Sequence, residues 1–222
     1  MFVTGLVLAA GGSRRLGVPK QLLSYRGGTL LGATLRTARA CAFDQLVVTL
    51  GGSSAQVREQ VELDGIHVVE NPDFGSGCSS SIVAALDVVD PRSDGIVLLL
   101  ADQPGVTSTS VRSLLAAVSG PGSGPSSGPG SGPVVVTRYD DGRGHPFWFG
   151  RDLFGELRGL HGDKGVWKLV ESGRYAVAEV DAAGNIPLDV DDWDDYRALL
   201  AQEQAGDVAD DLADDLAGRA DR

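Results

Sequence analysis

The run "IVLLLA" at residues 96–101 is apolar at every position, so no face of it can be left to water. A strand of that kind needs cover on both sides, which is the situation of a parallel sheet with helices above and below. Further β-rich runs at Phe2–Ala9, Gln45–Leu50 and His67–Val69 are separated by helical patterns at Leu30–Cys41, Ser54–Leu63 and Ser79–Val89. This alternation predicts βαβ units and an α/β fold: a Rossmann-like, mainly parallel sheet with helices on both faces. The loops that follow the strands should converge at one edge, where open α/β sheets bind ligands.

A further helical pattern, Thr107–Val118, runs into "SGPGSGPSSGPGSGP" at 119–133. That composition cannot bury a core, so a mobile insert is expected there. The strand pattern "PVVVTRY" resumes at once, which places the insert inside a domain. The second half reads as a small irregular lobe: an apolar "HPFWFG", helical patterns at Arg151–Leu157 and Lys164–Glu171, a strand at Tyr175–Val180, and "IPLDVDDWDDYRALLAQ" entering a last helix. One domain over 1–203 is expected, followed by an acidic tail, 204–222, that is weakly helical or disordered.

The chain of 222 residues has 30 acidic and 19 basic side chains and a net charge of −11, an unfavourable balance for binding a nucleic-acid backbone. Seven of those acids lie in 203–222, beside two arginines, so the tail carries much of the excess. No apolar run approaches the ~20 residues that span a bilayer. The N-terminus lacks a basic region followed by a cleavable apolar segment, and a cytoplasmic protein is expected. Cys41 and Cys78 are too few for a disulfide framework or a metal cluster.

Four loops hold most of the polar chemistry. "LVLAAGGSRRLGVPKQLL" at 6–23 ends a strand in Gly11 and Gly12 and gathers Arg14, Arg15 and Lys20 around one bend. Backbone N–H groups free of side chains, closed over by cations, make an anion cradle, although neither G-x-x-x-x-G-K-[ST] nor G-x-G-x-x-G is present. "ENPDFGSGCSSSI" at 70–82 leaves a strand through Asn71 and starts a helix at Gly77 and Ser79, where Ser79 is either a plain cap or a ligand donor. In "LLLADQP", Asp102 ends the most apolar strand, where an acid is costly unless paired or holding a metal. "PLDVDDWDD" offers Asp189 together with acids such as Asp191 and Asp192 that could simply cap the last helix.

In order along the chain these segments resemble the MobA-like NTP transferases of molybdenum cofactor maturation, most closely the cytidylyltransferase branch. "LAAGGSRRLGVPKQLL" is similar to that family's L-A-A-G-x-S-x-R-M-G-x-x-K-x-L-L, and "NPDFGSGCSSSI" to N-P-D-x-x-x-G-M-S-x-S-L. "ADQP" resembles its acidic metal loop, "GHPFWF" its G-H-P-x-x-F, "GDKGVWKLV" its G-D-x-G-A-R-x-L-L, and "DVDDWDDY" its D-I-D-T-P-E-D-Y. Val166 and Trp167 depart from the usual Ala and Arg, and Cys78 replaces Met.

The resemblance implies a nucleotidyltransferase fold and transfer of CMP from CTP to the terminal phosphate of molybdopterin or molybdenum cofactor, releasing pyrophosphate. It also implies Mg²⁺ and transient contact with a molybdoenzyme or its chaperone. Arg15, Lys20 and Asp102 would be catalytic, and Asp102 with Asp189 would hold the metal. Leu8, Ala9, Ala10, Gly11, Gly12, Ser13, Asn71, Gly77 and Ser79 would complete the nucleotide site. His145, Asp163 and Ser81 would face the acceptor. Phe147, Trp148 and Phe149 read first as packing and second as a wall for a flat pterin, while His67 and Cys78 read as structural and His161 as exposed. The alternatives are a guanylyltransferase, a sugar- or alditol-phosphate nucleotidyltransferase, an NAD(P)-dependent oxidoreductase, or a non-catalytic molybdopterin chaperone. "LAAG" stands against the guanylyl branch, where L-A-G-G is usual, and the missing dinucleotide fingerprint stands against the oxidoreductase.

Overall fold

The computed structural model describes residues 1–119 and 134–205; the expected insert from 120 on and the tail from 206 on lie outside them. Nine strands and seven α-helices are described. The main sheet takes β1 (Val3–Ala9), β4 (Gln45–Leu50), β5 (His67–Glu70), β6 (Gly95–Leu100), β7 (Val134–Tyr139), β8 (Gly142–Gly150) and β9 (Val177–Asp181), in the order β5-β4-β1-β6-β8-β7-β9. A small hairpin, β2 (Ser24–Tyr25) with β3 (Gly28–Thr29), stands apart from it. Every strand of the main sheet runs the same way except β8, which is antiparallel to both β6 and β7. The second half therefore adds three strands to the sheet of the first half, where a separate irregular lobe was expected. The apolar "HPFWFG" is the end of β8, opposite "GIVL" of β6.

The side chains of β1 alternate between two cores. Val3, Val7 and Ala9 join one cluster with Leu31 and Leu35 of α1 (Leu30–Arg39), Val57 of α2 (Ser54–Gln60), and Val111 and Leu114 of α4 (Ser108–Ser119). Leu6 and Leu8 join the other, with Ile82 and Ala85 of α3 (Cys78–Leu86), Leu157 of α5 (Phe154–Arg158), and Leu169 of α6 (Gly165–Glu171). Period-two alternation across a strand is what places an apolar layer on each face. At α1, the Thr29 hydroxyl accepts the Gly32 N–H at 3.0 Å, so the helix starts on a side-chain cap. Residues 193–205 form α7, opened by reciprocal bonds: Asp192 accepts the N–H groups of Asp194 and Asp195, and Asp195 accepts those of Asp191 and Asp192.

A third, smaller core joins Leu16 and Leu23 of the first loop to Tyr25, Val190 and Leu199. It ties the glycine-rich loop to the start of α7, and the Tyr196 hydroxyl donates to the Ser24 carbonyl at 2.8 Å. No helix among the described residues is long and apolar enough to cross a membrane.

Candidate active site

The carboxyl ends of β1, β4, β5 and β6 open onto one crevice, and the reversed direction of β8 brings its start, with His145, to the same edge. Leu8, Ala9 and Ala10 are buried where β1 ends, and Gly11 and Gly12 are exposed beyond it. Ser13 turns the chain with φ 48°; its carbonyl accepts the N–H groups of Leu16 and Gly17, and its hydroxyl accepts the Lys20 N–H at 2.9 Å. Gln21 is buried behind this turn and donates to the carbonyls of Ala9 at 2.6 Å and Gly11 at 3.0 Å. Phe74, from the loop after β5, closes the same end of the sheet. A Cβ on Gly51 would meet its ring at 2.9 Å and the Ala10 carbonyl oxygen at 2.3 Å, so only glycine fits there.

Lys20 and Asp102 meet. Lys20 Nζ is 2.6 Å from Asp102 Oδ2 and 2.9 Å from Asp191 Oδ1, and its side chain is only 12% exposed. Burial alone would lower the lysine pKa, but the two carboxylates outweigh it and raise the value. The hydrogen bond from Lys20 holds Asp191 below the ordinary carboxylate range. Arg15 stays largely in solvent, 3.6 Å from Asp191. Loss of water inside the crevice, then the charges of Asp102 and Asp191, push Asp189 up to about 6. Asp191, read from sequence as a helix cap, leaves that work to Asp192 and Asp195 and turns to the cations instead.

The donor set here is carboxylate oxygen, which suits a hard divalent cation, and an ammonium meets the negative charge that such a cation would meet. Among the described residues no group of three or more His, Cys, Asp or Glu side chains is arranged to cage a metal. A metal at Asp102 and Asp189 would therefore complete its shell with phosphate oxygens and water, the habit of Mg²⁺. Two buried side-chain oxygens beside this cluster, Gln21 Oε1 and Gln103 Oε1, have no hydrogen-bond partner among the described residues. Leu8, Ala9, Gly11, Lys20, Gln21, Ala101 and Asp102 line a cavity of about 30 Å³.

The other expected site residues are tied to one another, with Asn71, Ser79 and Ser81 buried and Asp163 exposed. Asn71 is buried, and its amide donates to the hydroxyls of Ser80 at 2.8 Å and Ser81 at 3.0 Å while its carbonyl accepts the Asp73 N–H at 2.9 Å. Ser79 is 1% exposed and donates to the Gly162 carbonyl at 2.6 Å. Asp163 accepts the Cys78 N–H at 3.1 Å. Gly77 has φ 110°, and a Cβ there would lie 2.6 Å from the Gly162 carbonyl carbon, so the 162–163 turn closes on α3 through a position that only glycine fills.

His145 is 6% exposed and stacks on Phe147 at 4.2 Å, beneath the crevice rather than along it, and burial lowers its pKa to about 3. Phe147, Trp148 and Phe149 are buried, so the packing reading holds and a pterin wall made of these three does not. Burial, then the charges of Asp102 and Asp163, push the Cys78 thiol up to about 11, which disqualifies it as a nucleophile.

Sequence reasoning missed Gln21, Gln103, Phe74 and the cation-facing role of Asp191. Only the last had a local signal, the acid-rich "DVDDWDD".

Residues 5–179 match the family model described as a MobA-like NTP transferase domain. The crystal structure of an Rv0371c homologue from Mycobacterium sp. strain JC1 is 52% identical, with a TM-score of 0.80, covering 90% of this chain and 96% of that one. Rv0371C from Mycobacterium tuberculosis H37Rv, solved in complex with manganese, is 50% identical with a TM-score of 0.78, covering 90% and 99%. Among curated relatives, nicotine blue oxidoreductase of Paenarthrobacter nicotinovorans is 38% identical over 116 residues, 52% of this chain and 56% of that protein. A probable molybdenum cofactor guanylyltransferase of Bacillus thuringiensis is 30% identical over 118 residues, again 52% and 56%. In both curated matches the chain spans about half the relative's length. With a glycine-rich loop beside an acidic cluster and a match to the family model over most of its length, the chain belongs to the MobA-like NTP transferase family and is a nucleotidyltransferase.

Proposed function

We propose that this enzyme transfers CMP from CTP to the terminal phosphate of molybdopterin, releasing pyrophosphate, with Mg²⁺ as the metal. One observation carries the reading: Lys20, held at the end of the glycine-rich loop after β1, touches Asp102 at the end of β6. This juxtaposes a cation for phosphate and an acid for metal at one point of the sheet edge. The backbone from Ala10 to Ser13 would donate to the triphosphate, with Arg15 and Lys20 neutralising it. Asp102 and Asp189 would hold the metal, and Asp191 would position Lys20. A bound Mg²⁺ would neutralise charge across the phosphates.

Phosphoryl chemistry asks the protein mainly for alignment and electrostatics. The acceptor phosphate is already anionic near neutral pH, so no general base is needed. His145, buried and neutral, is placed for none. Asn71, Gly77, Ser79, Ser81 and Asp163 would shape the base, ribose and acceptor pockets through the loops they lock. The "LAAG" turn supports cytosine over guanine, since buried groups matched to one base are left unpaired by the other. A reaction that draws on CTP would belong in the cytoplasm.

A redox reading has one point in its favour, the oxidoreductase among the relatives. The two separate in a single assay: a nucleotide screen with Mg²⁺ and molybdopterin, following pyrophosphate, beside an assay of NADPH absorbance. Pyrophosphate released preferentially with CTP supports the proposal. Equal or faster release with GTP overturns the cytidylyl assignment, and NADPH turnover without pyrophosphate overturns the transferase reaction.

A further inference from the structure

Several side chains of the core on the α3 and α6 face are only partly buried, among them Leu100, Cys78 and Trp167. Leu100 ends β6, two residues before Asp102. Cys78 begins α3 and is close enough to Asp102, Asp163 and Lys20 to feel the charge of each. Trp167, on α6, stands edge-on to two buried rings, 5.0 Å from Phe147 at 85° and 6.3 Å from His145 at 83°. These rings hold the indole on one side, and part of it stays in solvent.

Such a surface discriminates between acceptors. A polyol phosphate would surrender hydrogen bonds to water over an apolar floor and recover few of them. A flat heteroaromatic ring loses little there and gains stacking. We infer that Trp167, with Leu100 and Cys78, forms the subsite for the planar ring of the acceptor, on the sheet face opposite to the one covered by α1. Trp167 is then a specificity-determining residue, and His145 and Phe147 position it. This rests on the proposed transfer to a pterin phosphate.

The test compares wild type, W167F and W167A in two measurements. In Mg²⁺- and CTP-dependent pyrophosphate release, W167A raises KM for molybdopterin about tenfold or more, W167F stays within about threefold of wild type, and CTP affinity is unchanged in both; stacking on one aromatic side chain is worth about this much. Unchanged KM in W167A overturns the subsite, as does a W167F loss equal to that of W167A. The second measurement needs neither CTP nor turnover: 6-hydroxymethylpterin is titrated against each protein, followed by the pterin's own fluorescence anisotropy. Binding weakened in W167A and retained in W167F supports the subsite even where the wild type releases no pyrophosphate with molybdopterin, a result that would overturn the transferase proposal alone. Equal pterin binding by all three proteins overturns the subsite whatever the nucleotide chemistry.

Discussion

Lys20 is drawn to two carboxylates that lie 82 and 171 residues further along the chain. The sequence makes Lys20 and Asp102 legible one by one, because each interrupts a pattern: a cation in a glycine turn, an acid at the end of an apolar strand. It cannot show that Asp191 joins them, since that contact depends on how Leu16 and Leu23 pack against Val190 and Leu199. Asp102→Asn keeps the shape and removes the charge. The variant should fold with a melting temperature within a few degrees of wild type, because Lys20 retains Asp191 and Asp189 loses a repulsive neighbour. Pyrophosphate release should fall at least about 10²- to 10³-fold, the usual loss for one preorganised electrostatic group. A folded variant with near-normal turnover would remove Asp102 from the chemistry.

His145 supplies the pH dependence at this scale. Its folded pKa of about 3 lies below the unfolded value, so the unfolded chain binds the extra proton and folding loses stability as pH falls below about 6.5. By pH 5 that loss is about 2 kcal/mol. His145→Leu should flatten the fall in melting temperature between pH 7 and pH 5, and an unchanged slope would mean that the imidazole is not held neutral.

At the scale of elements, the strands and helices of the first half were readable to within a few residues because their apolar periods are strong. The α3 helix, expected at Ser79–Val89, is Cys78–Leu86. The β2–β3 hairpin was not foreseen: two-residue strands carry no periodicity. Nor could β8 be placed, since an apolar stretch does not announce its direction. The junction of α3 with the 162–163 turn was half legible, its residues present in the motifs but their mutual contact hidden. Here Ser79→Ala should cost about 1 kcal/mol, the worth of one intramolecular hydrogen bond. Gly77→Ala should cost more, because the new methyl meets backbone at a positive φ where nothing can yield. Thermal melts of both variants give the order, and a milder effect for Gly77→Ala would mean that the turn can step back from α3.

For the whole molecule, the proposed function has substrate and metal bind at the open edge of the sheet, a site that only the native state assembles. CTP with Mg²⁺ at about 100 times its Kd should then stabilise the fold by about 2.7 kcal/mol, and a chelator should remove most of that gain. A shift in melting temperature that survives chelation would separate nucleotide binding from the acidic cluster.

The single reversed strand has a consequence for how the protein is made. β6, apolar on both faces, pairs on one side with β1, which leaves the ribosome early, and on the other with β8, which ends only at Gly150. A nascent chain that has delivered β1, β4, β5 and β6 holds a nearly complete parallel half with its most apolar strand as a bare edge, the kind of edge that recruits other chains. Truncation after Ser119 should therefore yield a product that binds a hydrophobic dye and aggregates, while extension through Gly150 should suppress both. The strand that delivers His145 beneath the crevice is also the one that ends the hazard during synthesis.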